Sequence, residues 1–179
     1  MYISSETVLG FHYGENPTWP TQLPIDETSP TRPNDAYGLS KLMGERILEA
    51  AASTGRLTGV SLRPSWVQYE HTYQSELGPI VDDPAVATSG LWCYTDGNDL
   101  ADAVARSLDA RIDVHEAFFI VNPDSIGGHD VNALGRKLLN IDFSGVVMGP
   151  GRAAISSAKA EGVLGWRASR SWSDFVSTR

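Results

Sequence analysis

Tyr37 and Lys41 stand four residues apart in the stretch Asp35-Ala36-Tyr37-Gly38-Leu39-Ser40-Lys41. On a helix that spacing stacks both side chains on one face, within a turn of each other. A phenol ionises near pH 10 and is a poor base at neutrality, but a neighbouring ammonium favours its phenolate. At ~4 Å and an effective dielectric near 20 the attraction is about 4 kcal/mol, or roughly three pKa units before desolvation is subtracted. A tyrosine so placed can exchange protons near pH 7. The same spacing also fits a plain pairing in which Lys41 is shared with Glu45, another four residues along. Ser5, taken alone, reads as a turn residue just after a strand.

The elements that must position these groups follow from local pattern. Met1-Tyr2-Ile3-Ser4-Ser5 has the character of the end of a buried strand. Residues 11–34, with Pro17, Pro20, Pro24, Pro30 and Pro33, form a long loop, long enough to be a functional segment or lid. Asn34 or Asp35 caps a helix from Ala36 to about Ser53, and Gly55 stands where a left-handed C-terminal cap belongs. Leu39, Met43 and Ile47 recur every four residues and predict a core-facing stripe. Val60-Ser61-Leu62-Arg63 is a short strand whose ladder Pro64 cannot continue.

Residues 70–90 look irregular. Asp99 is the expected cap of a helix from Leu100 to about Ala110, a structural role. Ala117–Val121 is an apolar run of strand length ending at Asn122-Pro123. Asp130 caps Val131–Leu139, and Ser171 with Asp174 makes a capping-box pattern. Alternating apolar strands and amphipathic helices predict an α/β layer structure with strands buried on both faces.

Composition sets the outer limits. The chain has 179 residues, and 14 Lys and Arg against 22 Asp and Glu give a net charge of −8. One domain is expected at that length, and neither nucleic acid nor an anionic membrane suits that charge. Cys93 is the single cysteine, no Cys/His cluster has metal-site spacing, and no metal is expected. His12, His71, His115 and His129 share no spacing of a triad or metal site, so surface or capping roles are expected. There is no apolar run of membrane-spanning length and no secretory signal, so a cytoplasmic location is expected.

Several blocks together carry a resemblance. Ser4-Ser5-Glu6-Thr7-Val8-Leu9-Gly10, then Pro24-Ile25-Asp26-Glu27, Tyr37-Gly38-Leu39-Ser40-Lys41 and Leu62-Arg63-Pro64 resemble the extended short-chain dehydrogenase/reductase superfamily, in particular its NAD-dependent epimerase/dehydratase group. Tyr94 to Ala101 resembles that family's aspartate-leucine-alanine helix start. Lys159-Ala160 and Leu164-Gly165-Trp166 resemble its C-terminal signature.

The resemblance implies that Tyr37 is the general acid/base, that Lys41 lowers its pKa and binds the nicotinamide ribose, and that Ser5 hydrogen-bonds the same substrate oxygen. It places Pro64, Ser65 and Trp66 near the nicotinamide end and the substrate, with core packing an equal alternative for Trp66. NAD or NADP is the implied cofactor, a sugar or other small hydroxy/carbonyl compound the substrate, and a homodimer through the helix carrying Tyr37 the implied assembly. The expected fold is the C-terminal part of a Rossmann-like doubly wound parallel sheet with a small substrate-binding subdomain. Residues 1–179 then form a single partial domain, with substrate-binding elements mainly in 66–98 and 123–179.

Two departures qualify that picture. No Gly-x-Gly-x-x-Gly turn for a pyrophosphate is present, so a non-catalytic fragment or binding module that no longer holds a dinucleotide is the competing expectation. Leu91-Trp92-Cys93-Tyr94 stands where sugar-nucleotide members usually carry an arginine for a diphosphate, which tilts the expectation toward a uronate dehydrogenase-like oxidoreductase and away from a nucleotide-sugar epimerase.

Overall fold

The computed structural model of the chain describes residues 1–13, 16–20, 22–143 and 149–177, so parts of the expected 11–34 loop and of the 123–179 segment lie outside the described residues. Strands β1 (Tyr2–Ile3), β2 (Gly59–Pro64) and β5 (His115–Ile120) form a parallel sheet in the order β1-β2-β5. Tyr2 pairs with Ser61, and the β2–β5 register runs from Gly59↔His115 to Pro64↔Ile120. A second parallel pair joins β3 (Val67–Gln68) to β4 (Thr95–Asp96). The helices are α1 (Ala36–Ala52), α2 (Gly78–Asp82), α3 (Gly97–Asp109), α4 (Val131–Leu134) and α5 (Ala158–Leu164).

Strand periodicity divides the sheet into two faces. Val60, Leu62, Phe118 and Ile120 pack with Ala103 of α3 and with Ala160, Leu164 and Trp166 in and after α5. The alternate residue Arg63 reaches the opposite side and meets α1 there. Its Nε and Nη2 donate to Glu45 Oε1 and Oε2 at 2.8 and 2.7 Å, and Ser4 Oγ donates to the same Oε1 at 2.5 Å. Burial alone would push the Glu45 carboxyl up, but the Arg63 hydrogen bonds and charge outweigh it and hold the group below its ordinary value. One buried ion pair thus ties the end of β1, the middle of α1 and the end of β2 together.

Several sequence expectations change here. Leu39, Met43 and Ile47 are 49%, 56% and 68% exposed, so they are not core. The inward face of α1 holds Gly38, Glu45 and Ala52, because the Glu45–Arg63 pair fixes the rotation of the helix about its axis. The α3 cap is Asp96, whose Oδ1 accepts the N–H groups of Asn98 and Asp99 at 2.8 and 3.0 Å. Asp99 itself is buried and accepts from Ser169 N, Ser169 Oγ and Arg170 N, so it anchors the C-terminal segment.

Pro64 closes the β2 ladder as its last paired residue, and 70–90 is largely helical, with a wide turn at Tyr73–Leu77 running into α2. The Asp35, Asp130 and Ser171–Asp174 caps form as expected, and Gly55 adopts φ +72°.

The segment between β1 and α1 is strapped to residues far along the chain. Ile25 N donates to Ala154 O and Ser156 N donates to Ile25 O, both at 2.8 Å, while Glu27 Oε1 accepts the Phe119 N–H at 2.7 Å. Gly10 makes the start of this loop possible. It sits at φ +85°, and a Cβ there would lie 1.8 Å from Arg32 O.

Breaking one partner of a buried pair strands the other. Arg63→Ala is expected to lower unfolding stability by about 3–5 kcal/mol in urea denaturation, and the double variant Glu45→Leu/Arg63→Met to cost less than Arg63→Ala alone.

Candidate active site

Parallel α/β sheets bind ligands beyond the carboxyl ends of their strands, and the six sequence-derived positions fall there. Ser5 follows β1, Tyr37 and Lys41 lie in the first turns of α1, and Pro64, Ser65 and Trp66 end or follow β2. All six border one cavity of about 450 Å³. From 66–98 the wall also receives Val67, Ile80, Trp92 and Cys93, whereas 123–179 contributes only Ile126 among the described residues.

Ser5 is held by its backbone role. Its Oγ accepts the Thr7 N–H at 3.2 Å and so caps the single 3-10 turn Glu6–Leu9. Lys41 Nζ donates to Ile3 O at 3.1 Å and lies over the rings of Tyr37 and Tyr2, 5.4 and 5.7 Å from their centres, so α1 and β1 together hold the ammonium beside the Tyr37 ring. Tyr37 remains 48% exposed, and the ring of Tyr13 meets it edge-on at 6.1 Å. Trp66 is 38% exposed, which removes core packing as its role.

Glu6, His12 and Tyr13 also line the cavity, although the sequence does not single them out as site residues. Glu6 is buried, its Oε1 accepts from Ser65 Oγ at 2.7 Å, and its Oε2 has no hydrogen-bond partner among the described residues. Burial pushes its carboxyl up to about 8, against the opposing effect of the Ser65 hydrogen bond. His12 Nδ1 lies 3.4 Å from Glu6 Oε1, and burial pulls the imidazole down, partly offset by Asp35. At pH 7 this is therefore a contact between neutral groups and not an ion pair. His12 is neither a surface nor a capping residue, contrary to the sequence expectation. Gly90, at φ +77°, makes room for it, since a Cβ there would lie 2.8 Å from His12 Cε1. Tyr13, the third, comes from the proline-rich loop.

The remaining histidines lie outside the cavity wall, and His71 is exposed as expected. His115 Nε2 pairs with Ser61 Oγ at 2.9 Å, His129 Nε2 approaches Ile80 O at 3.3 Å, and His71 stacks on Tyr69. No group of His, Cys, Asp and Glu suited to a metal ion occurs among the described residues.

This parallel sheet with helices on both faces and a cavity at its strand ends is a Rossmann-like α/β architecture. It resembles a short-chain dehydrogenase/reductase superfamily protein from Agrobacterium tumefaciens, solved with bound NAD, at a TM-score of 0.62 and 21% identity over 97% of this chain and 63% of that one. A UDP-N-acetylglucosamine 4-epimerase from Bacillus cereus superposes with a TM-score of 0.61 at 19% identity, over 97% of this chain and 59% of that one. Residues 1–77 match the sequence model of the NAD dependent epimerase/dehydratase family. A UDP-glucose 4-epimerase from Lacticaseibacillus casei is 30% identical over 87% of this chain. Residues 1–77 thus carry the pattern of the NAD dependent epimerase/dehydratase family, and the chain spans 55% of the length of that curated relative.

Glu6 supplies a stability test. In the folded chain it keeps its proton up to about pH 8, whereas an unfolded glutamate releases it near 4.5. The folded state holds more protons between those values, so stability falls as pH rises from about 4.5 to about 8. Glu6→Gln removes this loss. Its stability relative to the parent chain is expected to grow by a few kcal/mol across that range in urea denaturation series, with no such trend below pH 4.5.

Proposed function

We propose that the cavity is the substrate end of an NAD(P)-dependent active site that oxidises or epimerises a sugar or small hydroxy/carbonyl compound. What carries this reading is that Ser5, Tyr37, Lys41, Pro64, Ser65 and Trp66, drawn from three separate elements, border one cavity. Tyr37 takes or returns the proton of the substrate oxygen. Lys41, with its ammonium fixed by Ile3 O, stabilises the phenolate side of that exchange, and Ser5 hydrogen-bonds the same oxygen. Tyr37, Lys41, Pro64 and Ser65 offer the polar and apolar surface that a nicotinamide and its ribose require, while no glycine-rich pyrophosphate turn occurs in these residues. When bound, the nicotinamide accepts or returns a hydride at the substrate carbon.

The cavity's charge bears on the substrate. Lys41 is the only lysine or arginine among the described lining residues, and Trp92 and Cys93 supply an apolar stretch of wall. That supports a free sugar or small carbonyl compound over a diphosphate-bearing one, which calls for several cations. The nucleotide-sugar alternative draws its support from the relative named UDP-glucose 4-epimerase.

In NAD- and NADP-coupled assays across free sugars and nucleotide sugars, Tyr37→Phe and Lys41→Met are each expected to lower turnover by about 10²–10⁴-fold. Turnover undiminished in Tyr37→Phe overturns the reading. The competing reading is a module that binds no dinucleotide. Titration calorimetry separates them, since micromolar binding of NAD or NADP excludes the second.

A homodimer through α1 belongs to the same proposal. Leu39, Met43 and Ile47 leave an apolar stripe uncovered along the helix. Sedimentation velocity is expected to give a dimer that Met43→Glu/Ile47→Glu converts to monomer. No helix among the described residues is long and apolar enough to cross a membrane, and a buried free Cys93 suits a reducing cytoplasm.

A further inference from the structure

Glu6 borders the cavity but takes no part in the proton exchange assigned to Tyr37, Lys41 and Ser5. A carboxyl buried without a cation is costly, and such costs concentrate at functional sites. Its one strong partner is the Ser65 hydroxyl at 2.7 Å. The Ser65 backbone is itself fixed, with its N–H donating to Thr95 Oγ1 at 2.9 Å, so only the hydroxyl hydrogen is free to turn.

We propose that Glu6 is a positioning residue that decides, through Ser65, whether this wall of the cavity offers a ligand a hydrogen-bond donor or an acceptor. The proposal rests on reading the cavity as a site for a small hydroxyl or carbonyl compound. With Glu6 ionised, Ser65 donates to Oε1 and turns its lone pairs to the cavity, which suits an O–H or N–H of the ligand. With Glu6 protonated, the proton sits on Oε1 and is donated to Ser65 Oγ. The serine hydrogen then turns to the cavity and suits a ligand carbonyl. The proton belongs on Oε1 because Oε2 has no partner among the described residues, and an unpaired buried carbonyl oxygen is tolerated better than an unpaired O–H.

Burial holds Glu6 up at about 8, so the donor wall prevails at neutral pH and the exchange falls near pH 8. The titratable groups around it come from every packed element. His12 and Tyr13 face it from the proline-rich loop, with Asp35 acting on both, and Cys93 faces it from the segment before β4. Tyr37 and Lys41 of α1 border the same cavity.

Two measurements test the proposal. In ¹³C NMR titrations of glutamate-labelled chain, the Glu6 carboxyl is expected to titrate near pH 8, and Ser65→Ala to move the midpoint higher by removing the bond that favours ionisation. An unmoved midpoint overturns the proposal. NMR-monitored binding of cyclohexanone and cyclohexanol, on either side of that midpoint, supplies the second readout. The ketone only accepts, the alcohol accepts and donates, and the ketone is expected to weaken about tenfold relative to the alcohol as pH rises. Glu6→Gln keeps the size and a hydrogen bond to Ser65 but does not titrate, so its ketone-to-alcohol ratio is expected to stay constant. The same pH dependence in Glu6→Gln overturns the proposal. If neither probe binds at any pH while Ser65→Ala still displaces the midpoint, the substrate class fails and the Glu6–Ser65 coupling is upheld.

Discussion

The ion pair between Glu45 and Arg63, with Ser4 as third member, is the constraint on which the rest of the structure depends. Each member sits next to, or one turn from, a residue of the cavity: Ser4 beside Ser5, Glu45 one turn beyond Lys41, Arg63 beside Pro64. The pair therefore sets the rotation of α1 and the offset between the ends of β1 and β2. Its bidentate geometry makes that setting angular as well as positional, because a guanidinium fork matches a carboxylate in one plane. The Arg63 guanidinium also lies 5.3 Å from the centre of the Phe119 ring, which extends the constraint to β5.

Two buried glutamates show how environment divides one chemistry into two. Glu45 has a full set of charged and neutral donors and stays ionised. Glu6 has a serine and a neutral imidazole, and keeps its proton into the physiological range. The first is a fastener and the second a group whose state depends on its surroundings. A cavity lined by the second kind is electrostatically soft, with Lys41 supplying its only fixed positive charge among the described lining residues.

Local chemistry was legible in the sequence. Asp35, Asp130 and the Ser171–Asp174 box formed as caps because each needs only neighbouring N–H groups. The strand–helix alternation and the four-residue Tyr37–Lys41 spacing likewise gave the parallel sheet and one shared face. The stripe of Leu39, Met43 and Ile47 was misassigned because periodicity reports that a face is apolar and not what covers it. Asp96 and Asp99 stand three apart, and only the contacts of Asp99 with Ser169 and Arg170 distinguish cap from anchor. Glu6 was missed for the same reason. Its character comes from Ser65 and His12, and no local pattern around Glu6 announces its burial.

The strap formed by Ile25 and Glu27 carries a kinetic meaning. It joins Ile25 and Glu27 to Phe119, Ala154 and Ser156, so the loop bearing His12 and Tyr13 is closed by contacts spanning 92 positions or more. Contacts of such sequence separation are slow to form, since chain entropy is spent before they return any stability. The loop bearing His12 and Tyr13 is therefore fastened over the cavity only once Phe119, Ala154 and Ser156 have docked against Ile25 and Glu27.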